Sequence, residues 1–241
     1  MLNTRERDYT HQITRLHCRE HQMSRLRTHS PVRKLKNSHR ALTGKVNLEG
    51  GGMAGFESSL ERDLLLILDF DRTVMSVKEQ PFSLTYIHEA SVRRYTPDVM
   101  AEYDRDVLPT VVFEVKPIEK LRADWVSLRP GFKAAVAHCR LRDWQFKIVT
   151  ERHIRTPYLA NVKFLRRYRD LAPLLLRQAQ LRYTATAVGP TTPQGLLAAA
   201  YWPKEEQAQA IPALWQMVAA GEFDIDLTKP LSMRMPIRLV E

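Results

Sequence analysis

The sequence predicts an α/β protein built on a mixed sheet, and three observations carry that prediction. Leu60, Leu64 and Leu68 recur at four-residue spacing with Ile67 beside them, which is the apolar stripe of a helix. Thr110 to Val115 is almost wholly apolar (Val111, Val112, Phe113, Val115), as a central strand covered on both faces must be. Shorter segments on either side alternate apolar and polar residues with the period of half-buried strands. The resulting order of helix, three strands, helix and strand belongs to an α/β domain with a mixed sheet.

The elements follow in chain order. Residues 1–50 mix Arg, Lys and five His with little periodicity, and read as an extended basic arm that ends at the Gly50-Gly51-Gly52 hinge. Its run of Arg33, Lys34 and Lys36 suits DNA or a partner. The histidines lack the cysteine or carboxylate spacing of a metal site. A helix is expected from Phe56 to Asp69, then a strand beginning at Val74, Met75 and Val77. Phe82, Leu84 and Tyr86 alternate as another strand, Tyr95 to Tyr103 is a further candidate, and Asp104 to Pro109 is a turn. Pro117 stops the apolar strand. Trp125, Leu128, Phe132, Val136 and Cys139 recur at helical spacing, and Trp144, Phe146 and Ile148 alternate. Asn161 to Gln180 reads as one basic, Leu-rich helix carrying Arg166, Arg167 and Arg169, a set suited to phosphates. Thr192-Pro193 opens a short helix, and Pro212 to Ala220 a second that Gly221 closes. Alternation at Phe223, Ile225, Leu227 and again at Ile237, Leu239 suggests a hairpin. Two short helices and a hairpin make a small winged-helix-like module. The domain plan is therefore a basic arm (1–52), an α/β domain (53–158), a basic linking helix (159–183) and a winged-helix-like domain (184–241).

Composition narrows the function classes. Hydrophobic residues make up 44% and charged residues 27% of the 241 residues, a globular balance. No apolar run approaches the roughly 20 residues needed to span a bilayer, and none follows the first residues as a secretory leader would require. Cys18 and Cys139 are the only cysteines, which excludes a disulfide scaffold and a site built mainly of thiolates. A reducing, intracellular setting is expected. The net charge of +10 is unevenly spread. Residues 1–50 hold 11 Lys/Arg against 4 Asp/Glu, whereas residues 51–110 reverse the balance with 6 against 11. An acidic pocket set between basic segments suits metal-dependent chemistry on a polyanion.

Asp98, Glu114 and Lys116 stand where the apolar pattern should hide charge. Residues i and i+2 of a strand share a face, so Glu114 and Lys116 point the same way. A turn joins the neighbouring strands, and Asp98, 16 residues before Glu114, can come beside it. Two adjacent carboxylates repel unless a proton or cation lies between them, and a hard, oxygen-preferring ion such as Mg²⁺ resolves that. Such an ion polarises a phosphodiester and lowers the pKa of bound water, while Lys116 orients that water and meets developing charge. Upstream, Glu57 and Glu61 lie one turn apart. Glu57 reads as an acid favoured by the helix dipole, and Glu61, at the edge of the leucine stripe, as the further ligand. Gln80 is positioned to hydrogen-bond a ligated water or backbone.

Phe56-Glu57-Ser58-Ser59-Leu60-Glu61-Arg62-Asp63, Lys78-Glu79-Gln80-Pro81-Phe82, Tyr95-Thr96-Pro97-Asp98 and Phe113-Glu114-Val115-Lys116-Pro117 together resemble the TnsA family. Its members are the endonuclease subunits of heteromeric cut-and-paste transposases. The resemblance covers roughly residues 53–182 and implies a restriction-endonuclease-like core. It implies Glu61, Asp98, Glu114 and Lys116 as the catalytic set, with the three carboxylates binding Mg²⁺ (Mn²⁺ substituting). Some members carry Gln where Glu114 stands. The implied activity is cleavage at the 5′ ends of the transposon, on double-stranded DNA. The implied partners are a DDE-type transposase subunit that cuts and joins the 3′ ends and an AAA+ ATPase regulator. A bacterial cytoplasmic location follows, nucleoid-associated when assembled. Two other readings stay open at this stage: a free-standing restriction- or resolvase-like nuclease, and a non-catalytic DNA-binding assembly protein.

Overall fold

The computed structural model describes residues 27–28, 43–49, 52–104 and 106–240. Arg33, Lys34 and Lys36 lie outside these residues. The described chain divides after Arg155 into two compact units.

The first unit, within residues 21–155, is a mixed α/β structure. Its elements are β1 (Arg27–Thr28), β2 (Gly44–Asn47), β3 (Met53–Phe56), α1 (Ser59–Phe70), β4 (Val74–Glu79), β5 (Leu84–His88), β6 (Ser91–Tyr95), β7 (Val99–Tyr103), β8 (Val111–Val115), α2 (Ile118–Ala123), α3 (Trp125–Arg140), β9 (Gln145–Val149) and α4 (Glu151–Ile154). Five strands form one sheet in the order β1-β4-β7-β8-β9. β7 is antiparallel to both its neighbours, β4 and β8, while β1 joins β4 and β9 joins β8 in parallel. A parallel pair cannot be closed by a tight turn, and α2 and α3 supply the crossover from β8 to β9. Every residue of β8 is buried, as its apolar run predicts. Leu60, Leu64, Leu65 and Leu68 of α1 are buried as well. Met100, Val112 and Cys139 form a further cluster with Phe82, Trp144 and Phe146 packed on it.

The first helix begins later than its apolar pattern suggests. Ser58 is its N-cap, with Oγ accepting from the Glu61 N–H at 3.2 Å. Phe56 instead ends β3, opposite Gly44 of β2. That hairpin is absent from the sequence reading because a glycine-rich stretch carries little alternation. Gly44 is required there: a Cβ would lie 2.8 Å from the Phe56 ring. The segment read as one strand from Tyr95 to Tyr103 is two. Tyr95 closes a β5–β6 hairpin whose turn residues, Glu89 and Ala90, have φ of 49° and 57°, the left-handed pair that tight hairpins need. Pro97, without an N–H, separates it from β7.

The second unit, within residues 156–241, contains α5 (Pro157–Arg169), α6 (Leu175–Val188), α7 (Pro193–Ala200), α8 (Lys204–Ala219), β10 (Phe223–Asp224) and β11 (Arg238–Leu239). α8 is its centre, with α5, α6 and α7 packed on it and Ala210, Ala213, Leu214, Trp215 and Met217 buried. Buried Asn161 donates to the carbonyls of Leu227 and Lys229 at 2.8 and 2.7 Å and accepts from the Leu231 N–H at 3.1 Å, which fixes the loop after β10. β10 and β11 are antiparallel. Two expectations need correction. The single helix from Asn161 to Gln180 is broken at residues 170–174, because Pro173 offers no donor and disfavours helical geometry in the residue before it. Conversely, the helix expected from Pro212 starts at Lys204 and contains Pro212 in its interior. Eight residues rich in helix formers, with Glu205 and Glu206 in the first turn, outweigh the one hydrogen bond that Pro212 removes. No helix among the described residues is long and apolar enough to cross a membrane.

Candidate active site

Asp98 precedes the first residue of β7, Glu114 is the fourth of five residues in β8, and Lys116 follows its end. Antiparallel register pairs Val99 with Phe113, and the Asp98 N–H donates to the Phe113 carbonyl at 3.2 Å. That ladder brings the three side chains together. Asp98 Oδ2 accepts from the Val115 N–H at 2.7 Å and faces Lys116 Nζ at 3.4 Å. Lys116 Nζ lies 2.7 Å from Glu114 Oε1 and donates to its neighbour's carbonyl, Val115, at 3.3 Å. Glu114 Oε2 accepts from the Tyr95 hydroxyl. Glu114 is only 3% exposed.

Two carboxylates sharing one ammonium leave an excess negative charge in a poorly solvated place. Burial, then the charge of Asp98, pushes the Glu114 carboxyl up to about 7. Burial also raises Asp98, against the pull of Lys116. For Lys116, burial works toward neutrality, but Asp98 and Glu114 outweigh it and hold the ammonium protonated. The phenol of Tyr95 is held neutral by burial and by Glu114, so it acts as a hydrogen-bond donor.

The helix carboxylates are arranged differently. Glu61 folds back over its own cap: Oε2 accepts from the Glu57 N–H at 2.7 Å and Oε1 from the Ser58 hydroxyl at 2.8 Å. This is a variant of the Ser-x-x-Glu cap in which the glutamate accepts from the N–H of the residue before the cap instead of from that of Ser58. Burial and the charge of Asp98 nevertheless raise its pKa, and Lys116 opposes them, so Glu61 senses the strand-end cluster. Glu57 stands before the cap rather than in the helix, and its Oε1 accepts from Gln80 Nε2 at 3.3 Å. The Gln80 N–H donates to the Asp98 carbonyl at 2.8 Å, joining the end of β4 to the site.

The donor chemistry at Asp98 and Glu114 is hard oxygen with uncompensated negative charge, which fits Mg²⁺ or Mn²⁺ and not a soft metal. Among the described residues, no group of three His, Cys, Asp or Glu side chains is arranged to hold a metal ion. Lys116 supplies the counter-charge in that arrangement, and Glu61 is engaged at its cap.

Tyr95 is the contact that sequence reasoning missed. Its signal was position alone, three residues before Asp98. Its ring packs edge-on to Phe132, with centroids 5.9 Å apart, and close to Gly131 of α3, where a Cβ would lie 3.1 Å from Cδ2 of the tyrosine. In the second unit, Arg166, Arg167 and Arg169 occupy the last turn of α5. Arg167 is exposed, Arg166 is half-buried, and Arg169 pairs with Asp170 at 3.3 Å.

Residues 71–151 match the family model described as TnsA-like endonuclease N terminal. The resemblance drawn from the sequence motifs is thereby borne out. The matched segment contains Gln80, Tyr95, Asp98, Glu114 and Lys116, while Glu61 precedes it. Comparison with curated proteins gave no match.

Proposed function

We propose, on the premise that residues 71–151 are a TnsA-like endonuclease N-terminal domain, that this chain is the Mg²⁺-dependent DNA endonuclease of a heteromeric transposase. It cleaves the 5′ ends of the element during cut-and-paste transposition, with Mn²⁺ able to replace Mg²⁺. The observation that carries the reading is the convergence of Asp98, Glu114 and Lys116 at the ends of β7 and β8, inside the matched segment.

The residues divide the work. Asp98 and Glu114 would hold the cation, with Glu61 joining them by leaving its cap. When bound, the ion polarises the phosphodiester and lowers the pKa of a coordinated water. Lys116 is held protonated, so its role is electrostatic: it meets negative charge that grows on the phosphoryl oxygens in the transition state. Tyr95 fixes the Glu114 carboxylate by donating to one oxygen while Lys116 occupies the other. Arg166, Arg167 and Arg169, together with Arg33, Lys34 and Lys36 of the basic arm, neutralise phosphates. A DDE-type transposase subunit and an AAA+ ATPase regulator are the protein partners. The helices and short ribbon of the second unit serve as a winged-helix-like module. The assembled protein works in the bacterial cytoplasm on the nucleoid.

The test mixes the chain with the transposase subunit of its element and strand-specifically labelled transposon-end DNA. Cutting of the 5′ strand with Mg²⁺ or Mn²⁺, and DNA binding with little turnover in Ca²⁺, are the expected results. Asp98→Ala should regain part of its activity at raised Mn²⁺. Undiminished cutting in excess EDTA would overturn the metal assignment.

A further inference from the structure

β4 ends at Glu79, and the next residue, Gln80, adopts φ of 43°. That left-handed conformation costs a non-glycine residue about 1–2 kcal/mol. The Gln80 side chain is also sequestered, with the residue only 8% exposed. Its Nε2 is spent on Glu57, and its N–H on the Asp98 carbonyl. Gln80 Oε1 is buried and has no hydrogen-bond donor, and the same is true of Glu79 Oε2. A buried acceptor left unsatisfied costs about 1–3 kcal/mol. Two such atoms lie in adjacent residues, on a strained backbone whose N–H is bonded to the Asp98 carbonyl.

The chemistry of that occupant is restricted. Both orphan atoms are acceptors, so it must donate or be positive. Lys45 is the strongest charge acting on Glu79, but Glu57 raises both Glu79 and Asp98, so three carboxylates stand here against that one ammonium and the neighbourhood stays negative. A phosphate is therefore repelled, while a hard cation is attracted. We propose that Glu57, Glu79 and the Gln80 amide oxygen form a second divalent-cation site, taking Mg²⁺ or Mn²⁺, separate from the Asp98–Glu114–Lys116 cluster. All three donors are hard oxygens, as these ions require. The inference deepens the nuclease reading, because Gln80 is bonded to Asp98 and an ion there would act at the same phosphodiester.

The test counts ions rather than turnover. Mn²⁺ is titrated into the full chain without DNA, free ion being read by its paramagnetic resonance signal, for the parent and four variants. The parent should bind two equivalents. Glu114→Gln should weaken one, and Gln80→Leu and Glu57→Gln the other, each by tenfold or more. Gln80→Glu adds a negative oxygen and should tighten that second equivalent by about tenfold. If Gln80→Leu fails to fold, Glu57→Gln and Gln80→Glu still decide. Binding that neither Glu57→Gln nor Gln80→Glu alters, whether of one equivalent or of two, overturns the proposal. A single equivalent that Glu57→Gln weakens and Glu114→Gln leaves unchanged would sink the nuclease reading and leave this one standing.

Discussion

Two buried carboxylates in the same unit, Asp63 of α1 and Glu114 of β8, have opposite surroundings. Asp63 is 2% exposed and meets two guanidinium groups, Arg62 at 3.2 Å and Arg155 at 3.4 Å. Arg155 also donates to Ser59 Oγ at 2.9 Å, which ties the end of the unit to the start of α1. Glu114 is 3% exposed and shares a single ammonium with Asp98. Burial of charge is common to both; what differs is the sign of the excess. A carboxylate with cation to spare holds structure together, whereas a pair short of cation is poised to take one up.

The largest effect should come from deepening the deficit. Lys116→Ala removes the only ammonium of the cluster, and cleavage should fall on the order of 10²-fold or more with DNA binding nearly unchanged. Strand-resolved mapping in the transposase complex should show the 5′ cuts lost and the partner's 3′ cuts kept. Loss of the 3′ cuts instead would show the cluster has been given to the wrong strand.

Relieving the deficit should stabilise the fold. The Glu114 carboxyl is raised from 4.5 to about 7, so the folded chain keeps a proton that the unfolded chain releases within that window. Stability is therefore lost as pH rises through it. Glu114→Gln removes the charge and keeps one acceptor oxygen for Lys116, while its NH2 can donate to the Tyr95 hydroxyl oxygen. In metal-free buffer at pH 8 it should be more stable than the parent, by on the order of 1–3 kcal/mol, with the difference vanishing near pH 4. Denaturant midpoints at the two pH values measure this. Equal midpoints at pH 8 would mean that Glu114 carries no strain.

Asp63→Asn tests the other side of the comparison. The two arginines it deserts are partly exposed and can rehydrate, so the loss should be roughly 1–2 kcal/mol, below the usual penalty for breaking a fully buried pair. Cleavage at a permissive temperature should be unchanged. A cleavage defect at full folding would place Asp63 in the chemistry.

The smallest shifts concern support and approach. Tyr95→Phe removes a donor that lowers the Glu114 pKa, so cleavage should drop about tenfold and the acid limb of its pH profile should move upward. An unmoved limb would reduce the tyrosine to packing. Arg167→Ala should lower the log–log salt dependence of DNA binding by about one unit without sequence preference.

How much of this was readable beforehand depended on which physical rule each residue obeyed. The Val111–Val115 strand, and the Glu-x-Lys at its end, were legible because charge among fully apolar residues breaks a strong pattern. Tyr95 was not, since Tyr95 to Tyr103 reads as one strand unless the turn at Glu89-Ala90 is seen, and neither residue is the glycine or asparagine that marks such turns. Gln80 was picked out as a hydrogen-bonding residue near the site, but its left-handed backbone leaves no trace in the residue type. The capping of α1 was written plainly as Ser58-x-x-Glu61, but the same glutamate was read for its reach toward the sheet rather than for its helix start. Pro173 and Pro212 show that proline breaks a helix only where the flanking turns cannot hold it.

Cys139 offers the molecule a clock. Its thiol is 1% exposed, sealed between Met100 and Val112, and burial pushes it up to about 11. In the closed state there is almost no thiolate at neutral pH and no path for a reagent. Alkylation of this sulfur can therefore proceed only when α3 lifts from the sheet, so its rate reports how often the layer beneath the candidate site opens. Followed with and without Mn²⁺ or DNA, that rate would show whether loading the site stills the helix that seats Tyr95.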